Sequence, residues 1–156
     1  MQRMIMGMIA LFFITAACKK DPSEVEKLNE RIQGSWKLVS NKIEYFDGEA
    51  KDFEDIIEAD ELMNEIDFMP NLRSRVILRN GEVTQTEYNM IRHYEELYLE
   101  LLDAAIFESH VWKITSFTET AMEWKAFYSN IQYENTETGE IKISDNIVIT
   151  LLLERK

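Results

Sequence analysis

The first predicted β-strand opens with Gly34-Ser35-Trp36-Lys37-Leu38-Val39-Ser40, the stretch that decides the fold. Its even-numbered side chains, the tryptophan and the leucine among them, project to one side of an extended chain, and its odd-numbered side chains project to the other. This alternation is typical of a strand with one buried face. We expect the strand to continue to a turn at Asp47-Gly48, because aspartate and glycine favour tight turns.

Further hairpins are predicted along the chain. Asn80-Gly81 separates two β-rich runs at residues 75–79 and 82–88. It is a strong hairpin signal, because both residues of such a turn take positive φ and Asn and Gly tolerate it. The last third of the chain again alternates between strands and polar turns, at residues 111–117, 118–120, 122–128, 134–139 and 147–155.

Three segments show a helical period instead. Apolar residues at helical spacing among carboxylates predict an acidic amphipathic helix over residues 52–66, ended before Pro70. A second amphipathic helix is predicted over residues 89–105, although residues 98–102 also fit a strand. A short helical turn capped by Ser23 is predicted just before the first strand.

The N-terminus has the layout of an export signal. Arg3 supplies a positive charge, residues 4–14 form an apolar run, and residues 15–17 are small, as a cleavage region requires. The run is shorter than the roughly 20 apolar residues that cross a bilayer. An uncleaved anchor helix is the alternative, and the polar stretch that begins at Lys19 argues against it.

Ile14-Thr15-Ala16-Ala17-Cys18 resembles the lipobox of bacterial lipoproteins, with Thr15 where that family prefers leucine. The resemblance implies that the Cys18 sulfur carries a diacylglycerol, that cleavage occurs before Cys18, and that the new amine is acylated. Two or three acyl chains hold a protein stably on a bilayer, since each buried methylene contributes about 0.8 kcal/mol. Lys19 after the cysteine is compatible with sorting to the outer membrane of the bacterial cell envelope.

Three parts of the chain follow from this interpretation. Residues 1–17 are expected to be a removed signal peptide, residues 18–30 the lipidated cysteine and a tether, and residues 31–156 a single domain. Cys18 is the only cysteine, so no disulfide is expected.

The charge excludes several partners. The chain carries 17 basic and 29 acidic residues, and loss of Arg3 with the signal leaves 16 against 29, a net charge of −13. Such a surface repels nucleic acids and anionic headgroups, so we expect neither as a partner. The many aromatic residues indicate a packed globular domain.

Three features together resemble the lipocalin-like domains of small bacterial lipoproteins: Gly34-x-Trp36 at the first strand, the hairpin-rich meander, and a final apolar strand that ends in Arg155. In lipocalins this tryptophan plugs the narrow end of a barrel, and a late arginine stacks on its indole. The resemblance implies a mainly β fold, an antiparallel up-and-down meander closing into a barrel, with Gly34, Trp36 and Arg155 in the closure. Six or seven strong strands and two helical insertions leave open whether the barrel is complete.

Two functions follow from such a barrel. An eight-stranded barrel is wide enough for one small ligand, and an apolar ligand would lie against aromatic walls, for which the candidates are Trp112, Trp124, Phe117 and Tyr128. The acidic helix at residues 52–66 would then act as a lid. The alternative is a structural lipoprotein with a solid core that docks an envelope protein.

Catalysis is not expected. The two histidines, His93 and His110, stand apart in the sequence, and there is no His-x-x-x-His pair, nucleophile elbow or phosphate loop. We therefore predict no enzymatic activity, no catalytic residue, no metal and no cofactor.

The lipid anchor is tested by the variant Cys18→Ala. Without the acyl chains the protein should leave the membrane fraction, yet it should fold normally, because nothing downstream requires the thiol. Fractionation of cells followed by detection of the protein measures the first effect, and circular dichroism of the purified domain measures the second. A variant that stayed with the membranes would contradict the lipoprotein assignment.

Overall fold

The structure, a computed structural model, describes residues 23–56, 63–103 and 109–156. The predicted signal, the lipobox-like stretch and Cys18 lie outside the described residues. The described part contains one helix and nine strands, which are α1 (Glu24–Ile32), β1 (Gly34–Asp47), β2 (Ala50–Asp55), β3 (Met63–Met69), β4 (Arg73–Leu78), β5 (Val83–His93), β6 (Glu96–Leu101), β7 (Val111–Phe117), β8 (Ala121–Asn135) and β9 (Glu140–Arg155).

Eight of the strands close into an antiparallel up-and-down barrel. β3 to β9 follow one another in order, β3 pairs with the first half of β1, and β9 pairs with nearly the whole of β1. β2 is an additional strand that pairs with the second half of β1. The mainly β barrel expected from the sequence is confirmed, and it is complete. Closure removes the free strand edges that an open meander would expose.

The barrel has two different ends. We call the end at which β1 begins the helix end. It carries α1, the β3–β4, β5–β6 and β7–β8 turns, and the last residues of β9. The opposite end, called the far end, carries the β1–β2, β4–β5 and β8–β9 turns, and β2 ends and β3 begins on this side.

The core fills the inside of this barrel. Inward side chains alternate along the strands, as on β9, where Ile147, Ile149, Leu151 and Leu153 are all buried. Strand β1 departs from this alternation, because its register shifts between Leu38 and Ser40. The shift leaves Ser40 exposed and buries Asn41 in its place, so the predicted grouping of Ser40 with the buried side was wrong.

The predicted acidic helix over residues 52–66 is wrong wherever that segment is described. Residues 52–55 belong to β2 and residues 63–66 to β3, while residues 57–62 lie outside the described part. Phe53 and Met63 are buried as strand residues. Three or four apolar residues at helical spacing are compatible with a helix and also with two short strands. Pairing with β1 decides in favour of the strands.

The second predicted helix, over residues 89–105, is a hairpin of β5 and β6, and residues 104 and 105 lie outside the described part. Apolar residues stand in adjacent pairs in this segment, and such pairs produce a helical period in the sequence. In the hairpin one member of each pair faces in and the other faces out: Met90 is buried and Ile91 exposed. The alternative of a strand near residues 98–102 is confirmed by β6.

The Asn80-Gly81 hairpin is confirmed between β4 and β5, with a different turn. The Gly81 amide donates to the Leu78 carbonyl, and the Leu78 amide donates to the Glu82 carbonyl. Gly81 has a φ of 88°, whereas Asn80 is not among the residues with positive φ. The four-residue loop needs positive φ only at its glycine, so the two-residue turn predicted here was wrong.

At the far end the long β1–β2 and β8–β9 hairpins pack together through aromatic rings. The Tyr45 and Tyr133 rings stack with centroids 4.0 Å apart, and Phe53 stacks on Tyr45 at 5.8 Å. The Tyr133 hydroxyl donates to the Asp52 carboxylate, which also accepts from the Lys142 ammonium at 3.1 Å. These two donors lower the pKa of Asp52, and burial together with the Asp52 carboxylate raises the pKa of Tyr133 to about 12.

This contact predicts a pH-dependent effect of Asp52→Asn. A carboxylate with a lowered pKa stabilises the fold above its unfolded-state pKa, and that contribution is lost as the pH falls through the folded-state pKa. The variant should therefore unfold at lower urea concentration than the wild type at neutral pH, and the difference should shrink towards about pH 3. Urea titrations at both pH values measure it. Glu137→Gln on the exposed β8–β9 turn is the control, and equal behaviour of the two variants would contradict the role of Asp52.

Candidate functional site

Helix α1 crosses the mouth of the barrel at the helix end. Its first turn lies beside β5, where Glu24 pairs with Arg92, and its last turn lies beside β1 and β9. In the barrel order β5 stands opposite β9, so the helix spans this mouth. Ile32 is fully buried, and Val25 and Leu28 pack against the core. The helix starts within the segment predicted as a tether, and it is longer than the predicted turn.

Residues next to the helix satisfy the free backbone groups at its two ends. Ser23 is the N-cap: its hydroxyl accepts from the Glu26 amide, and the Glu26 carboxylate accepts from the Ser23 amide, a complete capping box. At the other end, the last carbonyls of a helix have no partner within it. Here those carbonyls are bound by side chains from the first and last strands.

Trp36 and Arg155 supply these partners. The Trp36 indole N–H donates to the Ile32 carbonyl at 2.7 Å. The Arg155 guanidinium donates to the Arg31 and Gln33 carbonyls, both at 2.6 Å, and to the Glu119 carbonyl of the β7–β8 turn at 2.7 Å. The same guanidinium lies over the Trp36 ring, 4.3 Å from its centroid, a cation–π contact that contributes about 1–2 kcal/mol when desolvated.

Gly34 lies against this arginine. Its φ is 118°, a conformation that side chains rarely adopt, and a Cβ at this position would lie 2.8 Å from Arg155 Nη1. Only a glycine therefore permits both the backbone turn between α1 and β1 and the close approach of Arg155. The three residues for which a closing role was predicted stand together at the helix end.

The four candidate ligand-wall residues do not form one wall. Phe117 belongs to the helix end, where its ring is 6.1 Å from that of Trp36 and lies under the Arg31 guanidinium at 4.9 Å. Tyr128 lies further along β8, opposite Ile147, and is half-buried against the core. Trp112 and Trp124 lie in the middle of the barrel, with ring centroids 6.2 Å apart.

The two central tryptophans form the candidate site. Both side chains are fully buried, and neither indole N–H has a hydrogen-bond acceptor among residues 23–56, 63–103 and 109–156. A buried donor without an acceptor costs about 1–3 kcal/mol, and a tryptophan N–H in a protein core usually has a partner. Trp36, whose N–H is bonded to Ile32, shows the ordinary situation in the same core.

Sequence reasoning missed two further aromatic residues of this interior. Phe68 packs edge-on against Tyr88, with centroids 4.9 Å apart, and lies 6.2 Å from the Trp124 ring. Both are almost completely buried, and burial raises the pKa of Tyr88. The alternation Ile66, Phe68 on β3 was the available signal, and it was hidden by the assignment of that segment to a helix.

The remaining polar groups do not converge. His93 lies at the helix end, edge-on to Tyr94, while His110 lies near the far end with Nδ1 3.3 Å from the Leu101 carbonyl oxygen. Within the described ranges no three His, Cys, Asp or Glu side chains are placed to hold a metal ion. No described helix is long and apolar enough to cross a membrane.

Comparison with solved structures gives distant likenesses of fold. No protein-family model and no curated protein match the chain. The fold is similar to the crystal structure of a lipocalin-like protein from Bacteroides uniformis, at 14% identity and a TM-score of 0.37, over 81% of this chain and 98% of that one. A likeness this distant carries no conclusion about function.

The closure of the helix end is tested by Gly34→Ala. The side chain would be strained at a φ of 118° and would displace Arg155, so we expect a loss of about 2–4 kcal/mol in the free energy of unfolding. Gly139→Ala is the matched control, because its φ is 71° and no atom lies within 4 Å of the added Cβ. Urea denaturation measures both, and an equal loss in the two variants would show that contact with Arg155 does not matter.

Proposed function

We propose that this protein is a non-catalytic lipoprotein of the bacterial envelope, anchored through Cys18, whose barrel binds a small ligand. The ligand would be mostly apolar, because Leu99, Leu101 and Ile149 are buried in the same core as the two central tryptophans. It would also carry a hydrogen-bond acceptor such as a carbonyl or ether oxygen.

The unpaired N–H groups of Trp112 and Trp124 carry this proposal. In a solid core we would expect an apolar side chain in place of each tryptophan, or an acceptor next to its N–H, because each unpaired buried donor is destabilising. Ligand sites are mostly apolar, with a few polar groups that orient the ligand. Two neighbouring N–H donors in an apolar interior would orient a ligand that has one polar end.

The shape of the barrel supports entry from the far end. Helix α1, Trp36 and Arg155 occupy the helix end. The acidic helix that was expected to act as a lid is not formed by residues 52–56 or 63–66, which are mostly strand. The β2 strand and the tip of the β8–β9 hairpin flank the far end instead.

The alternative function, docking of an envelope protein, is favoured by one observation. Ile141 and Ile143 project from the same side of the β8–β9 hairpin and are 67% and 71% exposed. Exposed isoleucines next to each other are a feature of contact surfaces, although two residues make only a small patch.

The ligand proposal is tested by extraction of the protein purified from its own membranes. We expect organic extracts to contain a compound in about equimolar amount, seen by mass spectrometry. Trp112→Phe and Trp124→Phe keep an aromatic ring and remove the N–H donor, so each should weaken retention of that compound about 5- to 10-fold, the equivalent of one hydrogen bond of roughly 1–1.5 kcal/mol.

The exposed Tyr94→Phe variant, which also removes a polar group from an aromatic ring, is the control and should retain the compound fully. Extracts without any stoichiometric compound, from a protein that co-purifies with an envelope protein instead, would contradict ligand binding and favour the docking function.

A further inference from the structure

The first turn of α1 lies beside the tip of the β5–β6 hairpin. Ser23 caps the helix, Glu24 pairs with Arg92 at the end of β5, and the chain then turns at Tyr94 and Glu95. We call residues 92–95 the Tyr94 tip. The start of the helix and this tip therefore share one side of the helix end.

The length of chain before the helix limits where the anchor can be. Cys18 is five residues before Ser23, and an extended chain advances at most about 3.6 Å per residue, so the two are within about 18 Å of each other. Strand β5 is 11 residues long, which places its far-end residue Val83 roughly 35 Å beyond the tip. An anchor at Cys18 brings the helix end to the bilayer and keeps the far end away from it.

Tyr94 has the exposure and the chemistry of a residue that contacts a bilayer surface. It is 86% exposed, the largest exposure among the apolar and aromatic side chains described as exposed. Its φ of 54° is costly for a residue with a side chain. The Arg92 guanidinium holds its carbonyl at 3.2 Å, and the His93 ring packs edge-on against the tyrosine ring. Tyrosine is enriched where a membrane meets water, because its ring is apolar and its hydroxyl is polar.

A second exposed apolar side chain lies on the neighbouring turn. Leu72, also at positive φ, is 38% exposed between β3 and β4, and its carbonyl accepts from the Tyr88 amide of β5. The turn is thereby tied to the strand that carries the Tyr94 tip. Tyr88 is six residues before Tyr94, so Leu72 lies roughly 20 Å along this strand from the tip, and Tyr94 alone projects furthest on this side.

The distribution of charge favours the same orientation. The far-end segments 44–55 and 134–145 together carry ten acidic and two basic residues. The Tyr94 tip carries one arginine and one glutamate. Carboxylates remain hydrated at low cost in water and are costly to bring against a bilayer, so the far end belongs in the aqueous phase.

We propose that the Tyr94 tip lies in the headgroup layer of the membrane that holds the lipid anchor. The barrel then stands with its helix end on the bilayer and its acidic far end, where the ligand enters, in the aqueous compartment. This inference rests on the anchor at Cys18 that is part of the proposed function.

The test places a fluorescent indole at the tip with Tyr94→Trp. The full-length lipidated protein is purified from membranes and reconstituted in phosphatidylcholine vesicles, with or without bromine atoms on the acyl chains near the headgroups. Trp36, Trp112 and Trp124 are fully buried and give a constant background. Bromine should reduce the emission of the introduced indole by roughly half, since an aromatic ring in the interface lies near the quencher.

Val83→Trp, at the opposite end of the same strand and 55% exposed in the wild type, is the matched control and should not be quenched. Co-sedimentation with the vesicles is measured for both variants. Vesicle-bound protein with no quenching at the tip, or with equal quenching at both positions, overturns this orientation while the anchor stands. Protein that does not co-sediment overturns the anchor and this inference together.

Discussion

The guanidinium of Arg155 is the group on which the helix end depends. It binds two carbonyls at the end of α1, a carbonyl of the β7–β8 turn and the face of Trp36. These parts are far apart in the sequence, so one side chain joins the start of the domain, its last strand and a late turn. Each hydrogen bond also satisfies a carbonyl that the helix or turn leaves free. Gly34 is part of the same arrangement, because a Cβ there would lie only 2.8 Å from Arg155 Nη1.

The two ends of the barrel are stabilised by different chemistry. The helix end is held by a cation, an indole and backbone carbonyls. The far end is held by stacked Tyr45 and Tyr133 rings and by the Asp52 carboxylate, which accepts from the Tyr133 hydroxyl and from Lys142. Between them lies an apolar core in which Trp112 and Trp124 alone among the tryptophans have unpaired N–H groups in the described part. Those two donors face an apolar interior without an acceptor in the described part, which is the reason for proposing a ligand there.

Prediction from sequence succeeded where a pattern was local. The strands β1 and β9, the hairpin at Asn80-Gly81 and the cap at Ser23 all depend on a few neighbouring residues, and all are present. Prediction failed where a local pattern fits two structures. Residues 52–66 and 89–105 have apolar residues that satisfy both a helix and a pair of strands, and only the partner strands decide the outcome. In the candidate site, Trp112 and Trp124 were predictable as buried aromatics, whereas the separation of Phe117 and Tyr128 from them depends on position along the barrel axis.

The sequence by itself determined that this chain forms a meander of strands, that Trp36 begins it and that Arg155 closes its last strand. Each of these follows from alternation or from a residue at an element boundary, which are properties of a short stretch. Tertiary structure alone decided that β9 returns to pair with β1, that β2 stands outside the barrel and that two indole N–H groups lack acceptors. The β1–β9 pairing joins residues 100 to 119 positions apart, and no local pattern specifies which strand or acceptor a group will meet in the folded barrel.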